Sequence, residues 1–333
     1  TLSDFVRDRV IGALAGQGII AGEVATPVIS PPLSRRRVAL KAQRISGQLA
    51  LGFAEQGSHR LTALKQCEVM HPRLFAMLVP LRRLLDPMVG RRDSARISMT
   101  LIDQGVDILI EGVEAEGLEA SERLAAFGAE NALARLSIDG EYGLQNWWEP
   151  EPATITFGGN AVAIPPNAFL QATSEGERAL LDVVAPHMQA AGNWADLFSG
   201  LGTFALGVPG VPASYAAEAS RDAIAALRGA ANRAGLIMQC EHRDLFRRPL
   251  IPAELNRFGA VLLDPPRAGA RDQVAEIANS AVPLVAYVSC NPASFARDAA
   301  ALVTGGYMLA HMTPVGQFLW STHVELAAIF KRA

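Results

Sequence analysis

The chain has 333 residues, half of them hydrophobic and 19 % charged, which is enough core material for two compact domains and excludes a disordered or low-complexity protein. No uncharged apolar run of about 18 residues occurs, which argues against a membrane-spanning helix and for a protein without membrane partners. The formal net charge is −3, so any contact with nucleic acid has to rest on local clusters, of which Arg35-Arg36-Arg37, Arg82-Arg83 and Arg91-Arg92 are the candidates.

Taken in chain order, residues 2–17 read as a helix, with apolar positions at helical spacing and Gly16 and Gly18 closing it. A proline-rich loop follows (Pro27, Pro31, Pro32), then strand-like runs at 36–42, 46–53 and 59–64. His71-Pro72 opens an apolar-periodic helix to Leu85. Strands are expected at 95–102 and 106–113, a helix at 119–129, and further strand-like residues at 134–144. This first part reads as a smaller α+β domain with antiparallel hairpins, spanning 1–150. Glu149-Pro150-Glu151-Pro152 has the composition of a linker.

From 151 to 333 the pattern changes. A hairpin at 154–164 and a helix at 174–190 lead into strands at 193–198, 212–218, 236–241, 259–264 and 283–289, most of them separated by helical stretches. That alternation predicts a doubly wound α/β sheet. Two last strands, 305–314 and 322–330, read as an edge hairpin.

The first of these strands runs into Asp196-Leu197-Phe198-Ser199-Gly200-Leu201-Gly202-Thr203-Phe204. Glycines at a strand-to-helix turn let a ligand approach the backbone, and the helix behind them offers free N–H groups. Ala205 stands where a dinucleotide fingerprint has its third glycine, which lowers the odds of NAD. Glu218 ends the second strand, where an acid accepts ribose hydroxyls; Asp244 follows the third and Asp264 ends the fourth. A lone Asp before a helix is ordinarily an N-cap. Carboxylates at the ends of successive strands point instead to a nucleotide-like ligand.

Two segments carry the chemistry. Asp264-Pro265-Pro266-Arg267-Ala268-Gly269 sets a carboxylate on a rigid turn at the sheet mouth, and Ser289-Cys290-Asn291-Pro292 sets a thiol where the next strand meets a helix. A helix N-terminus lowers a thiol pKa, so Cys290 is expected as a nucleophile, whereas Cys240 reads as a small buried hydrophobe. Cys67, Cys240 and Cys290 lie too far apart for a disulfide framework and fit a reducing cytoplasm.

On these residues the chain resembles the RNA 5-methyluridine (uracil-C5) methyltransferase family, class I S-adenosylmethionine-dependent enzymes acting on ribosomal and transfer RNA. The resemblance covers essentially the whole chain from Arg35 onward. Its most specific pieces are Phe169-Leu170-Gln171, Asp196 to Phe204, Leu263 to Gly269, Val288 to Asp298 and His323-Val324-Glu325. It implies a Rossmann-like methyltransferase sheet, with the N-terminal domain binding RNA. By resemblance, Gln171, Phe198, Gly200, Gly202, Thr203, Glu218, Asp244 and Asp264 hold S-adenosylmethionine. Thr203 departs from the asparagine common in the family. The resemblance further makes Cys290 the nucleophile that adds to uracil C6, Glu325 the base that resolves the adduct, and Asp264 a catalytic neighbour of both. Cys67 matches the last cysteine of an iron–sulfur segment whose other ligands would lie upstream of Thr1; the non-methionine start leans toward such a truncation, and no cluster is expected in this chain alone. The implied partner is RNA, the implied form a monomer, and Arg267 and Asn291 are candidate RNA contacts.

Other readings remain open on the residues themselves. A base N-methyltransferase favours an aromatic after its Pro-Pro, where Arg267 stands, and a 5-methylcytidine enzyme brings a second cysteine on the loop occupied by Asp264-Pro265-Pro266. An oxidoreductase would bind a different cofactor on the same sheet. A catalytically weak RNA-binding or assembly factor is the non-enzyme alternative, opposed by the presence of Gln171, Glu218, Asp264, Cys290 and Glu325 together.

Overall fold

The computed structural model of the chain describes residues 1–54 and 61–333. The chain divides into two compact units, one of Thr1–Pro31, Thr156–Val162 and Gln171–Ala333, the other of Pro32–Ile155 and Ala163–Leu170. The expected division at residue 150 therefore needs correcting at both ends. The first 31 residues join the C-terminal unit because they bury apolar surface there. Helix α1 (Leu2–Ala15) is closed at its start by a capping box between Thr1 and Asp4, and it turns Val6, Val10 and Leu14 into that unit's core. The proline-rich stretch expected as loop contains two short strands, β1 (Glu23–Val24) and β2 (Val28–Ile29).

After α1, β1 and β2, the larger unit continues with α2 (Ser174–Ala191), β3 (Trp194–Leu197), α3 (Thr203–Gly207), β4 (Tyr215–Glu218), α4 (Arg221–Arg233) and β5 (Gln239–His242). Next come β6 (Ala260–Leu263), α5 (Arg271–Ala278), β7 (Leu284–Ser289), α6 (Pro292–Thr304), β8 (Tyr307–Gly316) and β9 (Glu325–Arg332). Among the described residues these strands form one nine-stranded sheet in the order β1-β8-β9-β7-β6-β3-β4-β5, with β2 also on β8. Strands β3 to β7 pair in parallel, and β9 runs antiparallel to both β7 and β8. Parallel central strands are covered on both faces, so β3 and β6 are buried along their whole length. Trp194, Tyr215, Tyr287, Phe295 and Phe330 fill the core.

Two features of this topology position a site. The order reverses between β3 and β6, because the chain steps from β3 to β4 and β5 and then returns to the other side of β3. Ligands in open α/β sheets bind at such a switch point, outside the carboxyl ends of the strands. Since β9 is antiparallel, its first residue lies at the same end: Leu326 pairs with Ser289, the last residue of β7. Residues before β9 and after β7 thus meet, although the sequence separates them by a helix, a strand and a loop.

The smaller unit is built on a seven-stranded sheet among the described residues, mainly antiparallel. Its strands are Leu61–Ala63, Gln48–Ala54, Arg37–Ile45, Ser94–Leu101, Val106–Glu111, Leu133–Gly140 and Gly143–Trp148 in spatial order. Val106–Glu111 and Leu133–Gly140 pair in parallel, connected by the helix Gly117–Glu130. The strand expected at 59–64 is observed as Leu61–Ala63, and its first two residues lie outside the described residues. The expected helix to Leu85 is two helices, Pro72–Ala76 and Leu78–Leu85, meeting at Met77. The strand-like residues at 134–144 belong to two strands, Leu133–Gly140 and Gly143–Trp148, joined by a short turn.

Candidate active site

The glycine loop between β3 and α3 adopts left-handed backbone at three positions: Phe198 at φ 64°, Gly200 at φ 55° and Gly202 at φ 91°. Glycine takes this conformation freely, whereas for phenylalanine it is strained, and such strain concentrates at functional sites. A side chain built on Gly200 would meet nothing within 4 Å, so the backbone there faces open space. At Gly202 the same atom would collide with Leu227, so that glycine serves packing. The Phe198 ring lies 5.5 Å from that of Phe246, which is partly exposed. Thr203 opens α3 and is half-buried. The N–H groups behind the loop are not all free, as the sequence suggested: α3 is only five residues long, and Asp196 Oδ2 accepts from Ala205 N–H at 2.9 Å.

Glu218 ends β4 and braces this loop. Its carboxylate accepts from Gly200 N–H at 3.0 Å and from Ser220 N–H at 2.7 Å. A carboxylate offers about four acceptor positions, so two remain for hydroxyl groups of a ligand. Asp244, two residues beyond β5, accepts from Phe246 N–H at 3.0 Å in a local turn and pairs with Arg247 at 3.4 Å. Open space over Gly200 beside an acid that keeps acceptor capacity is a cradle that suits S-adenosylmethionine, whose ribose needs such an acceptor.

Among the described residues, the acids beyond this loop, Asp264 and Glu325, have no ion-pair partner within 4 Å. Asp264 immediately follows β6, and its N–H donates to Leu197 O at 3.2 Å. Its carboxylate accepts from the Gln171 amide at 3.4 Å. Burial pushes Asp264 up to about 7, aided by the charge of Glu218, while the Gln171 hydrogen bond pulls it back. Glu325, 3 % exposed at the start of β9, is pushed up to about 8 by burial and by Asp264. Burial, with Asp264 and Glu218 nearby, also holds Asp196 well above the usual carboxylate range, and its Oδ1 has no hydrogen-bond partner among the described residues.

Cys290 follows β7 and is half-buried. Here the structure corrects the sequence reading: the thiol is pushed up to about 11 rather than lowered. Burial is the main cause, followed by Glu325 and Asp264, and the charge of Arg267 offsets them only in part. The helix contributes little because Cys290 stands one residue before the N-cap. Asn291 occupies the cap and accepts from Ala293 N–H, and Pro292 at the first helical position has no N–H to offer. The Asn291 amide donates to Arg267 O at 2.9 Å, and Ser294 donates to the same carbonyl at 3.0 Å. Asn291 therefore ties the Asp264–Gly269 turn to the cysteine loop, which accounts for it without an RNA contact; Arg267 is exposed.

Several residues escaped the sequence reading. Asp298, 1 % exposed, accepts from Tyr287 Oη and Ala270 N–H at 2.7 Å each, fastening the end of the Asp264–Gly269 turn to β7. Gln317 donates to Gln171 at 3.0 Å. A buried Asp or Gln within an apolar stretch is the signal that could have found both. In the smaller unit, the Arg37 guanidinium lies 5.5 Å from the exposed Phe169 ring, and Arg36 is buried, so Arg35-Arg36-Arg37 is not simply a solvated basic patch. Cys67 is half-buried, and its Sγ accepts from Met70 N–H at 3.4 Å. Among the described residues no group of three or more His, Cys, Asp or Glu is arranged to hold a metal, so the residues present do not fit an iron–sulfur cluster. No helix of the described residues is long and apolar enough to cross a membrane.

Known proteins share this sequence and fold. The tRNA (Uracil-5-)-methyltransferase family matches residues 213–333. An RNA methyltransferase of Zymomonas mobilis is 46 % identical over 99 % of this chain and 83 % of its own length. The 23S rRNA (uracil(1939)-C(5))-methyltransferase RlmD of Edwardsiella ictaluri is 29 % identical over 90 % of this chain and 69 % of its own. Among solved structures, the Pyrococcus abyssi tRNA (uracil-54, C5)-methyltransferase in complex with S-adenosyl-L-homocysteine superposes with a TM-score of 0.75, covering 98 % of this chain and 83 % of that one at 20 % identity. That likeness identifies the fold as the Rossmann-like methyltransferase fold. The chain belongs to the RNA uracil-5-methyltransferase family, enzymes that use S-adenosylmethionine as methyl donor.

Proposed function

We propose that this enzyme methylates C5 of a uridine in ribosomal or transfer RNA through a covalent adduct between Cys290 and C6 of the base. The observation that carries the reading is the meeting of three strand ends: Asp264 after β6, Cys290 after β7 and Glu325 at the start of β9, with Leu326 paired to Ser289. Uracil C5 is too weakly nucleophilic to take a methyl group unaided. In the proposed course the Cys290 thiolate adds to C6, and the electron pair of the C5–C6 double bond passes into an enolate able to attack from C5. S-adenosylmethionine supplies an electrophilic methyl on a cationic sulfur. The ionised form of Glu325, whose carboxyl is held at about 8, then removes the proton from C5, the double bond re-forms, and the C6–S bond breaks to release the thiolate.

Gln171, Phe198, Gly200, Gly202, Thr203, Glu218, Asp244 and Asp264 are the proposed cofactor residues, on the strength of the open loop and the acceptor capacity of Glu218. A thiol at about 11 is almost wholly protonated at neutral pH. Any cation bound among Asp264 and Glu325 favours its ionisation, and the methyl donor carries one. Cys67 remains proposed as a structural thiol in this chain, outside the reaction.

The test is covalent capture. RNA containing 5-fluorouridine should form a slowly migrating, denaturation-resistant complex with the enzyme, since fluorine cannot leave as a cation. Cys290→Ala should form none. Glu325→Gln should accumulate the methylated adduct and turn over about 10²–10⁴-fold more slowly. An adduct persisting in Cys290→Ala, or normal turnover in Glu325→Gln, refutes the mechanism. Mapping 5-methyluridine in RNA from cells with and without the gene identifies the target.

A further inference from the structure

Gln317 follows β8 directly and is 2 % exposed, yet the chemistry above makes no use of it. Its Oε1 accepts from Thr173 N–H at 3.2 Å, and its Nε2 donates to Gln171 Oε1 at 3.0 Å. Gln171, also 2 % exposed, in turn directs its Nε2 at Asp264 Oδ2, 3.4 Å away. The direction of an amide side chain has to be inferred from its partners. Here one partner is decisive. A backbone N–H can only donate, so the atom of Gln317 that faces Thr173 is oxygen and its NH₂ lies on the other side. The atom of Gln171 that meets this NH₂ is therefore its oxygen, and its own NH₂ is left toward Asp264. Space for the relay is built in: a side chain at Gly176, in the first turn of α2, would collide with Gln317.

We propose that Gln317 is a positioning residue: by fixing which way the Gln171 amide faces, it makes Gln171 a hydrogen-bond donor to Asp264 instead of an acceptor opposed to it. The inference rests on the reading of Gln171 and Asp264 as cofactor-site residues. The groups around Asp264 explain why the direction matters. Asp196, Glu218, Glu325 and Cys290 are the titratable groups whose charges act on Asp264 or respond to it, and every one of them is neutral or negative. The Gln171 donor is the interaction that favours the carboxylate in this company. A reversed amide would present a carbonyl oxygen to the same carboxylate and favour its protonated form.

The test begins on the ligand-free protein, so it does not depend on the enzyme's reaction. In the unmutated chain the side-chain NH₂ resonances of Gln171 should follow the titration of Asp264, with a midpoint near 7. Gln317→Met keeps the volume and removes the anchor, and should raise that midpoint by roughly one pH unit, the size of one hydrogen bond. Gln317→Glu accepts from Thr173 but cannot donate to Gln171, so the Gln171 amide turns its NH₂ toward the new carboxylate. This variant should raise the midpoint further than Gln317→Met. With S-adenosylmethionine and RNA added, the acid limb of kcat/KM should move in the same direction and order. An unchanged midpoint in a folded Gln317→Met overturns the proposal, as does an equal shift in the two variants with equal loss of Tm. If Gln317→Glu does not fold, the Gln317→Met midpoint decides alone. A relay that behaves as stated in a protein without methyl transfer would refute the proposed function and leave the positioning role standing.

Discussion

Asp107, within a strand of the smaller unit, and Asp264, just after β6 of the larger one, are both aspartates that burial pushes up, but their surroundings differ in kind. Asp107 is gripped by both nitrogens of a fork: Arg135 Nε donates at 2.9 Å and Nη2 at 2.7 Å, and Nη1 donates to Ile164 O at 2.8 Å. Burial still pushes Asp107 up, and Arg135 draws it back. Asp264 has one neutral amide and, around it, other acids. Carboxylates buried without a counter-charge are costly, so buried Asp196 and Glu325, with half-buried Asp264 beside them, cost stability at this sheet end. The difference teaches where each unit's constraint comes from. In the smaller unit the buried carboxylate is matched by a buried guanidinium. In the larger one the fold tolerates acids without a guanidinium fork, at the sheet end proposed to take the methyl donor.

The sharpest way to break this comparison is to remove the fork. Arg135→Leu should destabilise the chain by about 3–5 kcal/mol, because Asp107 is left buried and unpaired. Replacing both partners by apolar residues should recover most of that loss. Denaturant unfolding checks both, and a cost below about 1 kcal/mol for Arg135→Leu would mean the pair is not structural.

Asp264→Asn should act in the opposite direction on stability while impairing methyl transfer. The sign follows from the raised value. A carboxyl held at about 7 in the fold and near 4 when unfolded leaves the fold undisturbed below pH 4. Its stability contribution is then lost as pH rises through 7. Asp264→Asn removes this loss, so it should be more stable than the parent by about 1–3 kcal/mol at pH 8 and indistinguishable at pH 4. Thermal unfolding at the two pH values checks it; a variant less stable at pH 8 would show that Asp264 is compensated after all.

The smallest effect separates two glycines of the loop between β3 and α3. Gly200→Ala should cost only about 1–2 kcal/mol for left-handed backbone, since nothing stands where its methyl would go. Gly202→Ala should cost more, because Leu227 occupies that place. If Gly200 faces the ligand, its substitution should nonetheless weaken S-adenosylmethionine binding more than its modest stability loss suggests. Calorimetry on both variants makes the distinction.

Local chemistry is legible in the residues themselves. The strands around Asp196, Glu218 and Asp264 stand within a few residues of where alternating apolar runs put them, because buried parallel strands need continuous apolar sequence. Glu325 is a different matter. Without the family resemblance nothing in the sequence joins it to Cys290, since only the antiparallel insertion of β9 beside β7 brings Leu326 against Ser289. The membership of Thr1–Pro31 in the larger unit is equally hidden, because short edge strands such as Glu23–Val24 carry too few residues for a periodic signal.

The thiol marks the same division. Residue types and their order determined on their own that Cys290 stands where a strand gives way to a helix and that acids end the neighbouring strands. They did not determine the charge state that follows. A pKa depends on burial and on charges a few ångströms away, and those are set by which strand ends the sheet brings together. Only the tertiary structure buries the thiol and places Glu325 and Asp264 where they act on it, and so turns an expected reactive thiolate into a thiol held near 11.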